Sequence, residues 1–206
     1  KHHEAFDLLH KGINLAIDKG LRVIVDLHII RSHHFNAEDK SLFHDPAERA
    51  KLVSLWKQLS GELQQYSTDS VAYELLNEAV AEDPDDWNDL LARLIKSIRQ
   101  DEPERMIVVG SNRWQGPQTF PELDVPANDT NLILSFHFYT PFLITHYKAP
   151  WTGIGDYKGP VNYPGKTVKE KHLKKLKRVI LAVILNSLQF LTLLSNIKKI
   201  IKVVVS

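Results

Sequence analysis

The sequence predicts an α/β fold of the (β/α)8 TIM-barrel class. Amphipathic helices alternate with short, almost wholly apolar strands, and polar side chains follow three of those strands. Buried strands that alternate with helices form parallel sheets. Functional groups at the carboxyl ends of successive strands are typical of barrels. No glycine-rich phosphate loop follows any strand, which disfavours the alternative of an open nucleotide-binding sheet.

The first elements of the chain alternate as helix, strand and helix. In residues 4–18 apolar residues recur on one helical face, and Gly20 provides a stop signal. The run LRVIVDLH (21–28) is rich in β-branched residues and predicts a strand that is covered on both faces. A second helix follows at about 46–63, with Asp45 as its cap and proline in its first turn.

The alternation continues through three more strands. VAYELLNE (71–78) predicts the second strand, and an amphipathic helix follows at 87–100. RMIVVGSNRW (105–114) and LILSFHFYTPF (132–142) predict the third and fourth strands. A loop rich in Gly, Pro and Trp occupies 150–165.

Composition restricts the function classes. The chain has 206 residues, a hydrophobic share of 43%, 26 Lys or Arg, 25 Asp or Glu and no cysteine. These values indicate a globular chain and exclude a disulfide framework, a thiolate nucleophile and a cysteine-based zinc site. A formal charge of +1 lacks the basic footprint of a nucleic-acid binder. We expect no nucleic-acid partner and no cofactor.

The end of the chain differs from the rest. Residues 169–206 contain nine Lys or Arg, a single acid, and no Gly, Pro or Trp. We therefore divide the chain into 1–168, a partial barrel domain, and 169–206, a basic and apolar tail with one helix and one strand, IIKVVVS. The apolar run at 179–194 is shorter than the roughly 20 residues of a membrane span, so membrane attachment is not expected. A corrupted or frameshifted end remains an alternative.

Strand alternation groups the polar residues that follow the strands. Residues two apart share a face of a strand, so Asp26 shares its face with His28. In a barrel this face is the interior, and its top layer would assemble four side chains: His28, Glu78, His137 and Tyr139. Hydrogen-bonded polar core residues are the alternative, but the same pattern in three strands favours a functional site.

Four segments resemble the motifs of one enzyme family, in the same order. YELLNEAV is similar to the fourth-strand motif of glycoside hydrolase family 5, the cellulase-type family of clan A, in which an Asn-Glu pair ends the strand. VIVDLH, GSNRW and LSFHFYTP resemble its third, fifth and sixth strands. The resemblance covers about residues 4–165. It implies endo-β-glucanase-like or cellulase-like hydrolysis of β-glycosidic bonds in a polysaccharide or oligosaccharide, by a retaining mechanism.

The same resemblance implies roles for individual residues. Glu78 would be the general acid that protonates the leaving oxygen, and later the base that activates water. Asn77 would bond the sugar 2-hydroxyl, His137 and Tyr139 would orient the nucleophile, and His28 would line the subsite nearest the cleaved bond. A strand-end carboxylate in a structural ion pair is the alternative for Glu78.

Further residues are candidates for substrate binding. Trp114, just after a strand, and Trp151, in the long loop, are the expected stacking platforms for sugar rings. Asn112 is a candidate hydrogen-bond partner of a hydroxyl group. His34 lies in the pair His33-His34, which could reach the cleft from its loop or stay in solvent.

We expect structural roles for the remaining tryptophans and for a short acidic segment. Trp56 and Trp87 lie on predicted helices and are expected in the core. The acidic residues at 83, 85 and 86 are expected in a solvated loop and helix cap. No HExxH or comparable spacing occurs, so a metal site is not expected.

The sequence departs from the family in the number of its strands. The family barrel has eight strands, whereas this sequence predicts about four in the body and one in the tail. The first two strands of the family, with the arginine that they carry, are absent. If IIKVVVS is the seventh strand, the second catalytic glutamate is expected after Ser206. We therefore expect an incomplete barrel, a fragment that is inactive or poorly folded without the missing parts of its own barrel.

Three other functions stay open, and one of them is a protein attached to a membrane through residues 171–202, against which solubility without detergent would argue. A non-catalytic carbohydrate-binding barrel would keep the cleft without the chemistry. A barrel aldolase or isomerase would need a Schiff-base lysine at a strand end or a late phosphate loop, and neither is visible. A polysaccharide hydrolase of this type is expected to be secreted or periplasmic, although the opening residues KHHEAFDLLHKG have no signal-peptide features.

Overall fold

Helices and strands alternate in the structure in the predicted order. The structure is a computed structural model and describes residues 2–36, 38–164, 166 and 200–205. Its elements are α1 (His2–Asp18), β1 (Arg22–Leu27), α2 (Ser41–His44), α3 (Pro46–Leu63), β2 (Val71–Glu74), α4 (Pro84–Asp101), β3 (Ile107–Gly110), α5 (Asn112–Gln115), a 3-10 helix (Pro117–Glu122), β4 (Leu132–Ser135), α6 (Phe142–Thr145) and β5 (Ile200–Val205). The helix predicted in the tail lies outside the described residues.

The five strands form one parallel sheet in the order β4-β3-β2-β1-β5. From β1 to β4 each strand pairs with the next strand along the chain, without a reversal of direction. This single winding direction is the arrangement found in (β/α)8 barrels, whereas doubly wound sheets reverse direction at a switch point. The carboxyl ends of these strands therefore lie at one edge of the sheet.

The strand at the end of the chain pairs differently from what its place in the sequence suggested. A seventh barrel strand would lie beside β4, which corresponds to the sixth. The structure instead pairs β5 with β1, with Arg22 opposite Ile200 and Leu27 opposite Val205. The pairing of β5 therefore differs from the seventh-strand position that the sequence analysis considered for IIKVVVS.

The two long helices after β1 and β2 begin with the predicted signals. The Asp45 side chain accepts a hydrogen bond of 2.8 Å from the Ala47 amide at the start of α3. Asp83 does the same for the Asp85 amide at 3.0 Å at the start of α4. Each helix has proline in its first turn, where the missing amide hydrogen costs nothing.

Two buried tryptophans connect these helices to the strands. Trp56 of α3 and Trp87 of α4 lie in the main hydrophobic core, as predicted. The indole Nε1–H of Trp56 donates to the Leu75 carbonyl at 2.8 Å, and that of Trp87 donates to the Gly110 carbonyl at 2.9 Å. Both bonds hold the backbone where β2 and β3 end, so helix packing fixes the edge of the sheet from which the site is built.

A buried ion pair stabilises the opposite edge of the sheet. Arg105 is almost fully buried and bonds the Glu102 carboxylate, with Nε at 2.7 Å. Its guanidinium also donates to the Val71 carbonyl at 2.7 Å and lies 4.8 Å from the ring centre of Tyr73. Burial raises the pKa of the Tyr73 hydroxyl, which donates to Glu102 at 2.8 Å.

Residues 138–197 belong to a second compact unit. Its described part has a small apolar cluster of Leu143, Ile154 and Tyr157. The Tyr157 hydroxyl donates to the Pro160 carbonyl at 3.1 Å. This unit contains the loop that the sequence predicts between 150 and 165.

Candidate active site

Glu78 and His137 are in contact although 59 positions separate them in the sequence. Nδ1 of His137 lies 2.7 Å from Oε1 of Glu78. Glu78 follows β2 and His137 follows β4, so the contact spans the carboxyl end of β3, which lies between them in the sheet. Both side chains are largely buried, and an imidazole–carboxyl bond of this length fixes the orientation of both groups.

The backbone leaves the strand well before Glu78. β2 ends at Glu74, four residues earlier than the predicted strand. The Asn77 amide donates to the Leu27 carbonyl at 3.1 Å, which holds this segment beside the end of β1. Glu78 has φ of 51°, a left-handed conformation that residues with a side chain rarely adopt. The turn, and not strand alternation, therefore directs the Glu78 side chain.

Asp26 orients the ring of His28. Their Oδ2 and Nδ1 atoms are 2.8 Å apart, so the two residues are in contact as predicted, although β1 ends at Leu27 and His28 lies just beyond it. Asp26 is fully buried, whereas 31% of the His28 side chain is exposed. Because Nδ1 faces the carboxylate, Nε2 lies on the other side of the ring. This arrangement presents one polar imidazole edge away from the core.

Trp114 lies in α5, a four-residue segment after β3 whose backbone forms a turn and not a regular helix. The strand ends at Gly110, and Arg113, Trp114 and Gln115 all have φ between 52° and 62°. The Trp114 amide donates to the Ala79 carbonyl at 3.1 Å, and its indole Nε1–H donates to the Phe35 carbonyl at 2.9 Å. The residue is nevertheless 49% exposed. An indole that is anchored by its polar edge and exposes its apolar surface suits the stacking role predicted from the sequence.

Asn112, which the sequence suggested as a partner of a substrate hydroxyl group, makes contacts within the protein. It is buried, and its amide group bonds the Ala81 backbone twice, accepting from the nitrogen at 2.8 Å and donating to the carbonyl at 3.0 Å. The strand ends at Gly110, two residues before Asn112. These bonds join the segment after Glu78 to the turn after β3.

Two polar residues bond the backbone next to Glu78: Gln115, which the sequence analysis missed, and His33, which it considered only as part of the loop pair His33-His34. The side chain of Gln115 accepts a hydrogen bond from the Glu78 amide at 2.9 Å. The ring Nε2–H of His33 donates to the Asn77 carbonyl at 3.1 Å. His33 belongs to a visible histidine pair in a loop, but Gln115 matches no motif and has no sequence signal beyond its place after a strand-ending glycine.

His34 differs from its neighbour in this loop. Its ring stacks on Phe35 with centres 4.5 Å apart, and its Nδ1 accepts from the Asn36 amide at 3.2 Å. The two histidines therefore have different surroundings, since His33 points into the core. His34 stays at the surface of the loop and does not join the Glu78–His137 contact in this structure.

The second unit holds two of the predicted site residues. The Tyr139 carbonyl accepts from the Thr145 hydroxyl at 2.9 Å, and the Tyr139 ring lies edge-on to His146 at 5.0 Å between centres. Trp151 is 76% exposed. Both residues belong to the unit formed by residues 138–197.

Comparison with known proteins agrees with this geometry. Residues 1–186 match the family Cellulase, glycosyl hydrolase family 5. The chain belongs to glycosyl hydrolase family 5. It is 32% identical over 148 residues to Endoglucanase C of Acetivibrio thermocellus, a match that covers 71% of this chain and 43% of that protein. It is 30% identical over 169 residues to Cellodextrinase A of Ruminococcus flavefaciens, covering 81% of this chain and 48% of that protein.

Solved structures of the family have the same fold. Cel5A of Thermotoga maritima, a mutant form solved in complex with cellobiose, superposes with a TM-score of 0.65 at 29% identity. That match covers 82% of this chain and 52% of the Cel5A chain. The family 5 sheet described here is thus part of a (β/α)8 barrel, and the chain spans about half the length of the relatives it matches.

The described residues lack two features that mark other classes of protein. Within the described part of the family 5 chain, no cluster of three or more His, Cys, Asp or Glu side chains has the geometry to hold a metal ion. The described helices include none with the length and apolar character needed to cross a bilayer.

Proposed function

We propose that this chain carries the acid/base half of a retaining β-glucan hydrolase, with Glu78 as the proton-transferring group. The strongest support is the 2.7 Å contact between Glu78 Oε1 and His137 Nδ1 beyond the carboxyl ends of β2 and β4. Barrel enzymes build their active sites at this edge of the sheet. A bond to one carboxyl oxygen fixes the direction in which the carboxyl group presents its proton.

The chemistry follows from the two protonation states of one carboxyl group. In the first step Glu78 transfers its proton to the glycosidic oxygen as the bond to the leaving sugar breaks. In the second step the Glu78 carboxylate takes a proton from the water that attacks the anomeric carbon. The contact with His137 keeps the carboxyl group in one orientation through both steps.

Neighbouring residues have supporting roles in this proposal. Asn77, directly before the acid, bonds the 2-hydroxyl of the sugar, a contact that strengthens in an oxocarbenium-like transition state. His28, held by Asp26, lines the same subsite, and Trp114 stacks on a sugar ring. By the resemblance to the family, His137 and Tyr139 are each proposed to orient the nucleophile.

A retaining mechanism also needs a carboxylate nucleophile. By the resemblance to the family this is a glutamate at the end of the seventh strand, and the described carboxylates do not match that motif. A carboxylate that forms the glycosyl-enzyme intermediate is indispensable for turnover. Activity is therefore proposed for a polypeptide in which this chain lies in a complete barrel.

The proposed substrate class is a β-1,4-linked glucan. The relatives carry the names endoglucanase and cellodextrinase, and one solved relative is an endo-β-1,4-glucanase in complex with its substrate. A polymer of this kind does not cross a membrane, so we also propose that the enzyme acts outside the cytoplasm.

The test compares an unactivated substrate with an activated one. We expect Glu78→Gln to lower kcat/KM on carboxymethylcellulose by about 10²- to 10⁴-fold, because the leaving sugar needs a proton. On a dinitrophenyl β-cellobioside the loss should be under about tenfold, since dinitrophenolate leaves without protonation. Azide should raise the kcat of Glu78→Gln on the activated substrate, because the azide anion attacks the glycosyl-enzyme intermediate without needing a general base. The assay uses the 206-residue chain and the longest reading frame that contains it.

Glu62→Gln is the matched control. This carboxylate lies near the end of α3, at the edge of the sheet opposite Glu78, and its removal should leave both rates unchanged. Equal activity of Glu78→Gln and the unmodified protein on carboxymethylcellulose would contradict the proposal. Oligosaccharide binding without hydrolysis by either polypeptide would favour the non-catalytic carbohydrate-binding alternative.

A further inference from the structure

The peptide group between Asn77 and Glu78 is held at both of its polar ends. Its carbonyl oxygen accepts from His33 Nε2–H at 3.1 Å, and its amide hydrogen is donated to Gln115 Oε1 at 2.9 Å. His33 and Gln115 are each no more than 2% exposed. Both bonds are therefore formed away from solvent, where replacement by water is costly.

This peptide group precedes a residue with an unfavourable backbone conformation. Glu78 has φ of 51°, which rotates its side chain away from the direction that a strand would give. Such conformations persist only where the surrounding structure imposes them. Two hydrogen bonds that fix the plane of the preceding peptide provide this constraint, because φ is the rotation of Glu78 relative to that plane.

Gln115 also contacts the other member of the pair. Its backbone carbonyl accepts from the His137 amide at 2.8 Å, and its side-chain Nε2–H donates to Glu74 Oε1 at 3.3 Å. One residue therefore bonds the backbones of both Glu78 and His137. The turn after β3 is in this way the common support of two side chains that follow β2 and β4.

We propose that His33 and Gln115 are positioning residues that aim the Glu78 carboxyl at the glycosidic oxygen by holding the Asn77–Glu78 peptide. This proposal rests on the acid/base role proposed for Glu78. Neither residue needs to touch substrate or transfer a proton. Their loss should affect proton delivery to the leaving group more than substrate binding, since the acid would remain but point in several directions.

The protonation state of His33 agrees with this role. Burial lowers the pKa of its imidazole from 6.5 to about 4, so the ring is neutral in the folded protein near pH 7. Because a carbonyl oxygen only accepts, the hydrogen must be on Nε2, which leaves Nδ1 without one. Phe43 packs edge-on against the ring with centres 5.6 Å apart and completes its pocket.

Two variants remove the hydrogen bonds while keeping side-chain volume. His33→Phe replaces a ring with a ring, and Gln115→Met replaces an unbranched side chain with one of similar length. We expect each to lower kcat on carboxymethylcellulose by about 10- to 100-fold, a part of the full general-acid contribution. We expect KM, and kcat/KM on the dinitrophenyl β-cellobioside, to change by less than about threefold, because that leaving group needs no acid.

A rescue variant and a stability control separate positioning from folding. His33→Gln places an amide N–H where the imidazole Nε2–H lies, so it should recover most of the activity that His33→Phe loses. Tyr73→Phe removes a buried hydrogen bond to Glu102 at the other edge of the sheet. It should lower the melting temperature without changing the ratio of the two rates.

The outcomes distinguish this inference from the proposed function. In the first outcome Glu78→Gln shows the leaving-group dependence, but the His33 and Gln115 variants lose both rates equally or lose neither rate. The positioning roles are then refuted and the acid role stands. If Glu78→Gln itself shows no such dependence, the acid role fails and the positioning roles fail with it. Loss on the unactivated substrate alone, with rescue by His33→Gln, supports both.

Discussion

His33 is a titratable group kept neutral by its surroundings. It is 2% exposed, and the loss of hydration on burial outweighs the contribution of its bond to the Asn77 carbonyl. The charges that act on it come from several elements: Lys40 and His34 lower its pKa, and Glu78 raises it. The result is a folded-state pKa of about 4 against an ordinary value of 6.5.

This pKa predicts how stability depends on pH. Between pH 6.5 and 4 the unfolded chain binds a proton at His33 that the folded chain does not, so the free energy of unfolding falls as the pH falls. We expect a loss of about 2 kcal/mol between pH 7 and 5 from this group. Urea unfolding at several pH values should show this slope, and His33→Gln should reduce it. Equal slopes for the two proteins would contradict the prediction.

The strands are predictable from the sequence, but their ends are not. Buried runs such as RVIVDL and IVVG identify β1 and β3, and polar residues after them indicate the functional edge. The predicted strands nevertheless extend four residues too far at Glu78 and at Trp114, since both residues have positive φ. Nothing in a glutamate or tryptophan signals that conformation. It is imposed by bonds to residues such as Gln115, which is 37 positions away from Glu78.

Gly110 connects the end of β3 to the turn that holds Glu78. A methyl group at this position would overlap the side chain of Gln115. The carbonyl of Gly110 is also held by the Trp87 indole at 2.9 Å, so the backbone has little freedom to move away. The absence of a side chain here is therefore a condition for the position of Gln115.

This overlap predicts an interaction between two substitutions. We expect Gly110→Ala to destabilise the protein by about 1–3 kcal/mol, as other overpacked sites do. In a Gln115→Ala background the same change should cost less than half as much, because the overlapping atoms of Gln115 are gone. Urea unfolding of the four proteins in the double-mutant cycle measures this coupling. Additive effects would show that Gly110 and Gln115 do not compete for the same space.

At the scale of the molecule, the sequence predicted the closeness of Glu78 and His137 better than it predicted the pairing of the strands. The motifs placed Glu78 and His137 together, and their contact lies where the motifs put it. The position of β5 beside β1 was not predicted, because parallel pairing depends on which edge is available and not on order along the chain. Strand order is settled by long-range packing, whereas the residues of a motif can be read locally.

The outer edge of β4 carries exposed apolar side chains. Within the described residues no strand pairs with that side of β4. Ile133 and Leu134 are 41% and 49% exposed, and Phe136, just beyond the strand, is 55% exposed. An unpaired strand edge with apolar side chains is a template for pairing with another chain. In a complete family 5 barrel the next strand would cover this edge.

We therefore expect the 206-residue chain to self-associate through β4. Sedimentation velocity over a range of protein concentrations should show growing species, and Leu134→Lys should shift the distribution toward monomer, because a charge at the edge opposes pairing. Leu15→Lys is the matched control, since Leu15 is 56% exposed but lies on α1. If both substitutions reduce association equally, general surface hydrophobicity is responsible. If Leu134→Lys has no effect, the edge of β4 is not the contact.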